Sequence, residues 1–240
     1  MQDKKTRLAV GLLFGFSYVN VQAALIDRGS GLLYDTALNI TWLQDADFVQ
    51  TSGYDADGLM LWSDAKTWAA DLVYHDSIRN VDYSDWRLPR NSPVNGVSFS
   101  DLTQTNDGSG DLGYNITSPH SEMAYMYNVN LGLKGWFNVD GSFRTDYGVH
   151  GDGSFGGQEN VGLVHNLQDA IYWSDTAVEN VPFGAWGVDM AVGSQNFYYV
   201  LNSHYAWAVR DGDVAAVPLP GAIWLFVTGI AGVLGLRRRR

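Results

Sequence analysis

Asp85-Trp86-Arg87-Leu88-Pro89 is the five-residue stretch from which the fold is read. An acidic and a basic side chain bracket an indole, and Pro89 pushes Leu88 out of the helical region into extended backbone. The block therefore predicts a rigid corner in which Arg87 bonds backbone carbonyls or a carboxylate. A structural staple is the preferred reading over a ligand contact.

On the N-terminal side, Asp27-Arg28-Gly29-Ser30-Gly31 supplies turn chemistry between a strand from Ala24 and its continuation at Leu32-Leu33-Tyr34. Leu38 to Leu43 reads as another strand. Ser63 is placed as the N-cap of a helix running to about Tyr74, with Asp64 in its first turn and Ala65, Trp68, Ala69 and Leu72 on one face. Past the corner, Ser118 and Pro119 predict the start of a second helix that carries Glu122 and stops at Gly132. Its face of Met123, Met126, Tyr127 and Asn130 is assigned to core packing. Then follow Ile171-Tyr172-Trp173-Ser174, Ala185-Trp186-Gly187-Val188-Asp189-Met190 and Tyr205-Ala206-Trp207-Ala208-Val209-Arg210, each alternating as half-buried antiparallel strands do. A body rich in Gly, Asn and Asp with few helical periods is a loop-rich α+β domain.

This order of blocks resembles the Lcl C-terminal domain family over roughly residues 33 to 210. Asp85 to Pro89, Tyr172-Trp173-Ser174, Ala185-Trp186 and the closing Val209-Arg210 carry the likeness. The resemblance implies a C-type-lectin-like fold: two helices packed on small twisted antiparallel sheets, with long loops for recognition. A member domain in a bacterial collagen-like adhesin is associated with glycosaminoglycan binding, so the resemblance implies a role in glycan binding or surface adhesion. The cysteines common in relatives are absent here.

Both ends of the chain read as addresses. Lys4, Lys5 and Arg7 precede an apolar stretch from Leu8 to Phe16, and Val21-Gln22-Ala23 ends it with small residues; this is a secretory signal peptide, residues 1–23, cut after Ala23. At the other end Val217-Pro218-Leu219-Pro220 leads into an apolar run of 16 residues, Gly221 to Leu236, and then Arg237, Arg238, Arg239 and Arg240. As a helix the run reaches roughly 24 Å against a hydrocarbon core of roughly 30 Å, so it spans marginally. The four arginines place its end on the cytoplasmic side, and Trp224 sits near the opposite headgroup region. Residues 217–240 resemble the PEP-CTERM sorting signal, with Leu219 where that family carries Glu. The resemblance implies a Gram-negative exopolysaccharide producer and an exosortase that cuts near the proline motif. The expected product is an inner-membrane precursor facing the periplasm, then a protein of the cell surface or extracellular matrix.

The charge is asymmetric. The whole chain is −11, but its ends hold seven of the 15 basic residues and one of the 26 acidic ones, so the body from 24 to 216 has eight against 25, a net −17. Such a body argues against nucleic acid as a partner and against metal-free binding of sulfated or uronic polysaccharides. There is no cysteine, so an exported domain must rely on its core. Eight of the nine tryptophans precede the tail and supply much of that core.

Few residues point to chemistry. Gly151-Asp152-Gly153-Ser154-Phe155-Gly156 has dinucleotide-type spacing but lies among other glycines and polar residues, and is assigned to a loop. His75, His120, His150, His165 and His204 show no paired metal spacing. Asn106-Asp107-Gly108-Ser109-Gly110-Asp111 and Asp55-Ala56-Asp57-Gly58 are oxygen-rich turns that could wrap calcium, although neither matches the twelve-residue calcium loop. The expectation is a lectin-like domain without catalytic residues, delivered to the surface or exopolysaccharide matrix, where it binds glycan or adheres. A purely structural surface protein and a carboxylate-based carbohydrate-active enzyme are the alternatives.

Overall fold

The computed structural model describes residues 25–99 and 102–214. Leu25–Gly29 (β1), Leu32–Asp35 (β2) and Ile40–Leu43 (β3) open the chain; Phe48–Thr51 (α1) and Trp62–Asp71 (α2) follow, then Tyr74–Asp76 (β4), Val81–Tyr83 (β5) and Trp86–Arg87 (β6). Gln104–Thr105 (β7) and Leu112–Tyr114 (β8) precede a short helix, Glu122–Tyr125 (α3), which widens into a π-turn over Met126–Asn130. The remaining strands are Gln158–Val161 (β9), Val164–Gln168 (β10), Ile171–Ala177 (β11), Gly184–Asp189 (β12), Ser194–Tyr199 (β13) and Val209–Asp211 (β14).

These strands form two five-stranded sheets, ordered β1-β2-β3-β14-β6 and β11-β12-β13-β8-β7, and two hairpins, β4/β5 and β9/β10. Every pairing is antiparallel except β7 with β8. Small antiparallel sheets with few helices make this an α+β-like domain. One core joins the sheets: Leu32, Leu33, Trp42, Trp173 and Trp207 lie in it with Met123, Met126 and Tyr127 from the α3 region. A smaller cluster of Leu112, Val178 and Trp186 sits apart.

The first hairpin follows its turn residues. Asp27 Oδ1 accepts the Gly29 N–H at 2.7 Å, and Gly29 and Gly31 both take φ of 73°. The helices depart from expectation. Leu61, extended, precedes α2, so Ser63 is already inside it and its hydroxyl turns to Asp64. The helix stops at Asp71 because Tyr74 is drawn into pairing with Tyr83. Ser118 and Pro119 do not start the second helix. The segment up to Ser121 is held against the strand-like stretch after the corner, where Ser92 N–H bonds the His120 carbonyl at 2.7 Å and Asn91 pairs with Ser121. Helical backbone begins only at Glu122; Gly132, at φ 62°, ends the run as expected. Two strand expectations also change. Strand β12 is buried along nearly its whole length, since β11 and β13 flank it. Residues 205–208 form no regular strand, although Tyr205 bridges Tyr172.

Among the described residues no helix is long and apolar enough to cross a membrane. The expected spanning run 221–236, its flanking Trp224 and Arg237 to Arg240, the sorting motif at Val217, Pro218 and Pro220, and the signal-peptide site at Ala23 lie outside the described residues.

Candidate functional site

The Asp85–Pro89 corner is turned inward on protein partners. Arg87 donates to both Glu122 carboxylate oxygens, at 2.7 and 2.8 Å, and its Nε donates to Asp211 at 3.0 Å. A further bond runs from Arg87 to the Leu88 carbonyl. Burial works against the charge on Arg87, but the bonds to Glu122 and Asp211 outweigh it and raise its pKa. Glu122 also accepts the Arg90 N–H at 2.7 Å. Asp85 grips Arg210 with two bonds of 2.8 and 2.9 Å, which hold the aspartate below the usual carboxylate range. Trp86 donates its indole N–H to the Tyr83 carbonyl, Leu88 is buried, and the Pro89 carbonyl accepts the Asp175 N–H. The corner thus clamps β6 to β14, α3 and β11. Trp173 and Trp186 are fully buried, Trp186 at the floor of a depression beside Phe99 and Val178.

Of the exposed aromatic residues among those described, Tyr54 and the contacting pair Phe183 and Tyr199 lie apart, while Trp136, Phe143 and Phe155 lie on the loop from 131 to 157. Within it, residues 136–144 fold into a small hairpin: Arg144 N–H bonds the Trp136 carbonyl at 2.8 Å, Asn138 N–H bonds Ser142, and Phe137 faces Phe143. Fixed groups of the fold hold its base. Trp136 N–H donates to the Val192 carbonyl, buried Tyr127 donates its hydroxyl to the Lys134 carbonyl at 2.8 Å, and Asn115 donates its amide to the Phe137 carbonyl at 2.9 Å. Gly148 closes against the Ala191 carbonyl so tightly, at φ 82°, that any side chain there would collide. At the far end of the loop, Gly156 N–H donates to Asp169 and the Gly156 carbonyl meets His150.

On this frame six rings run in continuous contact from inside to outside. Tyr114 meets Phe137 at a centroid distance of 4.9 Å, Phe137 meets Phe143 at 4.7 Å, and Trp136 meets Phe143 at 5.8 Å and Tyr147 at 6.0 Å. Phe155 then meets Tyr147 at 6.0 Å. Tyr114 and Tyr147 are buried, whereas Trp136, Phe143 and Phe155 are 37, 68 and 65 % exposed. Leaving an aromatic ring in water forgoes about 1.5–3 kcal/mol of burial, and here three such rings are held on a bonded frame.

Sequence reading placed none of these residues in a site. The signal was present as Asp-Gly-Ser-Phe, which occurs at 140–143 and again at 152–155 and each time delivers an exposed phenylalanine directly after a tight turn.

The remaining chemical candidates do not converge. The glycine run 151–156 leads into strand β9 and not a helix, so it lacks the helix N-terminus that a pyrophosphate needs. In the turn 106–111, Asp111 is buried and accepts the Val94 N–H, while Asp107 binds the serine of its own turn. In the turn 55–58, Asp55 and Asp57 accept the N–H groups of Asp57 and Leu59. Among the described residues no group of three or more His, Asp or Glu side chains could hold a metal ion. Among the described residues, depressions lined by Gln44 and Phe48, by Phe99 and Trp186, and by Gln104 and Gln195, of about 180, 230 and 270 Å³, are smaller than the roughly 300–1,000 Å³ usual for a small-molecule pocket.

No family model, curated protein or solved structure matches the chain.

Proposed function

We propose that the chain is an exported surface or exopolysaccharide-matrix protein whose body is a non-catalytic glycan-binding or adhesion module. The observation that carries this reading is the exposed set Trp136, Phe143 and Phe155, pre-positioned on a loop that is bonded to the core at its base. Flat apolar rings suit the C–H faces of sugars. The lectin-like reading, with helices α2 and α3 set among small sheets and recognition given to a long loop, supports the same role. In this proposal the precursor sits in the inner membrane through the run 221–236, and an exosortase processes it near Pro218 and Pro220.

The test uses the body, residues 24–216, which contains both hydrophobic clusters. It is incubated with immobilised neutral and host-derived polysaccharides, with and without calcium, and scored for retention and for new reducing ends. Retention that Trp136→Ala and Phe143→Ala remove, with no new reducing ends, supports the module. Cleavage would replace it with the enzyme reading, and retention untouched by both variants would reject the platform. Processing is checked separately: Pro218→Ala with Pro220→Ala leaves the precursor uncut in the inner membrane, and unchanged cutting counts against the sorting signal.

A further inference from the structure

The rings of the platform come with a fixed set of charges, and these deepen the functional reading just given, on which the inference rests. Asp-Gly-Ser occurs three times, at 107–109, 140–142 and 152–154. In each, the aspartate Oδ1 accepts the serine hydroxyl at 2.6 Å and also the serine N–H, at 3.1, 2.9 and 2.9 Å in chain order. The glycine between takes φ of 75, 82 and 75°. These serine bonds, the hydroxyl foremost, hold all three carboxyls below the usual range, so they stay ionised through neutral and mildly acidic pH.

All three turns border the rings. The 140 turn is the hairpin tip and runs directly into Phe143; the 152 turn runs directly into Phe155. The 107 turn touches the hairpin tip, since a Cβ on Gly141 would lie 3.2 Å from Asn106 Nδ2, and Asn115 bonds the Asn106 and Phe137 carbonyls together. The local cations do not balance this. Lys134 is paired with Asp146, and Arg144 lies near Asp140 and Asp146. The rim therefore sets Asp107, Asp140, Asp146 and Asp152 against Lys134, Arg144 and His150, the last beside Asp152 but bonded to Glu159, within a body that is itself net −17.

We infer that the platform takes a polysaccharide without anionic groups and favours one with free amino groups, a polymer of partly or fully de-N-acetylated hexosamine. The C–H faces of its sugars lie on Trp136, Phe143 and Phe155, and its ammonium groups meet the fixed carboxylates of the Asp-Gly-Ser turns. Uronate and sulfate polymers are turned away by the same carboxylates.

The test measures binding of the full chain to oligomers of glucosamine, of N-acetylglucosamine, of a neutral glucan and of a polyuronate. At low salt the glucosamine oligomer is expected to bind about tenfold more tightly than its N-acetylated counterpart, and raising the salt removes that advantage. The polyuronate is expected not to bind. Replacing the three aspartates by asparagine keeps Oδ1 as the acceptor in each turn, so neutral-sugar binding persists while the glucosamine preference disappears. The inference is overturned by equal binding of the two hexosamine oligomers, by polyuronate binding as tight as glucosamine, or by a preference that survives in the asparagine variant. Loss of all sugar binding in Trp136→Ala separates that failure from failure of the platform itself, which an unaffected Trp136→Ala, or absence of binding to every sugar, would show. Should the asparagine variant melt far below the parent, the salt dependence of the parent decides the question.

Discussion

The domain uses tryptophan in two ways, and the contrast between Trp207 and Trp136 shows how one residue type serves fold and surface. Trp207 is 1 % exposed, donates its indole N–H to the Leu43 carbonyl at 2.7 Å and meets Trp42 at 4.6 Å. Trp62 and Trp173 are tied likewise, to the carbonyls of Ser174 and Met60. Trp136 has its backbone fixed at the base of the hairpin while its ring rests on exposed Phe143, half-buried Phe137 and buried Tyr147. Inside, these three indoles each satisfy a backbone carbonyl as well as filling volume, whereas the buried indoles of Trp42 and Trp186 make no such bond. On the platform, the backbone is satisfied without the ring, which leaves the ring free for a ligand.

Asp47, Asp140 and Asp152 show a related contrast, although buried Asp76, paired with Arg79, is held low. Asp47 is 1 % exposed and accepts from Gln168 at 3.0 Å, yet burial, together with the neighbouring charges of Asp45 and Asp57, pushes its carboxyl up to about 6. Asp140 and Asp152, at the surface, are held below the ordinary range by their own serines. Burial makes the charged form of this interior aspartate costly, whereas the turns of the platform favour the charged form of theirs.

The largest effect is expected inside. Trp207→Ala opens a cavity beside Trp42 and orphans the Leu43 carbonyl, and should cost about 3–5 kcal/mol in denaturant unfolding. Arg87→Leu comes next, at about 3 kcal/mol, because it leaves Glu122, only 13 % exposed, without its guanidinium. Adding Glu122→Gln to that variant should recover much of the loss; no recovery would mean that Arg87 acts by packing alone.

Asp47→Asn comes third and is read through pH. A carboxyl raised from 3.8 to about 6 on folding favours the native state fully below pH 4, and that contribution fades as pH rises through 6, by about 3 kcal/mol in all. The asparagine variant escapes this loss but gives up part of the Gln168 bond, about 1 kcal/mol. It should therefore be more stable than the parent by about 2 kcal/mol at pH 8, with no gain at pH 3. A parent whose melting temperature is flat between pH 4 and 8 would remove Asp47 from the account of interior charge.

Much of the fold was legible because its signals are local. Asp27 to Gly31 specifies its turn through a side-chain bond two residues away, and Arg87 with Pro89 announces a corner whose guanidinium bonds backbone carbonyls or a carboxylate. The partners were less legible. Glu122 lies 35 residues from Arg87 and Asp211 lies 124 away, and no spacing rule connects them. Ser118 with Pro119 looks like a helix start, but pairing of this segment with Asn91 and Ser92 decided its backbone. The platform was hidden for a different reason. A tryptophan looks the same in sequence whether it is wrapped by two sheets, as Trp173 is, or left on a loop, as Trp136 is; only the doubled Asp-Gly-Ser-Phe distinguishes the loop aromatics locally.

The smallest effect on stability is expected at the platform itself. Trp136→Ala removes a ring that is 37 % exposed and touches Phe137, Phe143 and Tyr147 at centroid distances of 5.7 to 6.0 Å. Water can enter the space it leaves, and the hairpin keeps its backbone bonds to Val192 and Arg144, so the loss should be about 1 kcal/mol. Phe143→Ala, at a more exposed ring, should cost less still. Glycan retention should move in the opposite sense, lost in Trp136→Ala although the melting temperature barely changes. A Trp136→Ala variant as unstable as Trp207→Ala would make the six rings a second core that merely reaches the surface, and the division between buried and presented aromatics would no longer support a binding face.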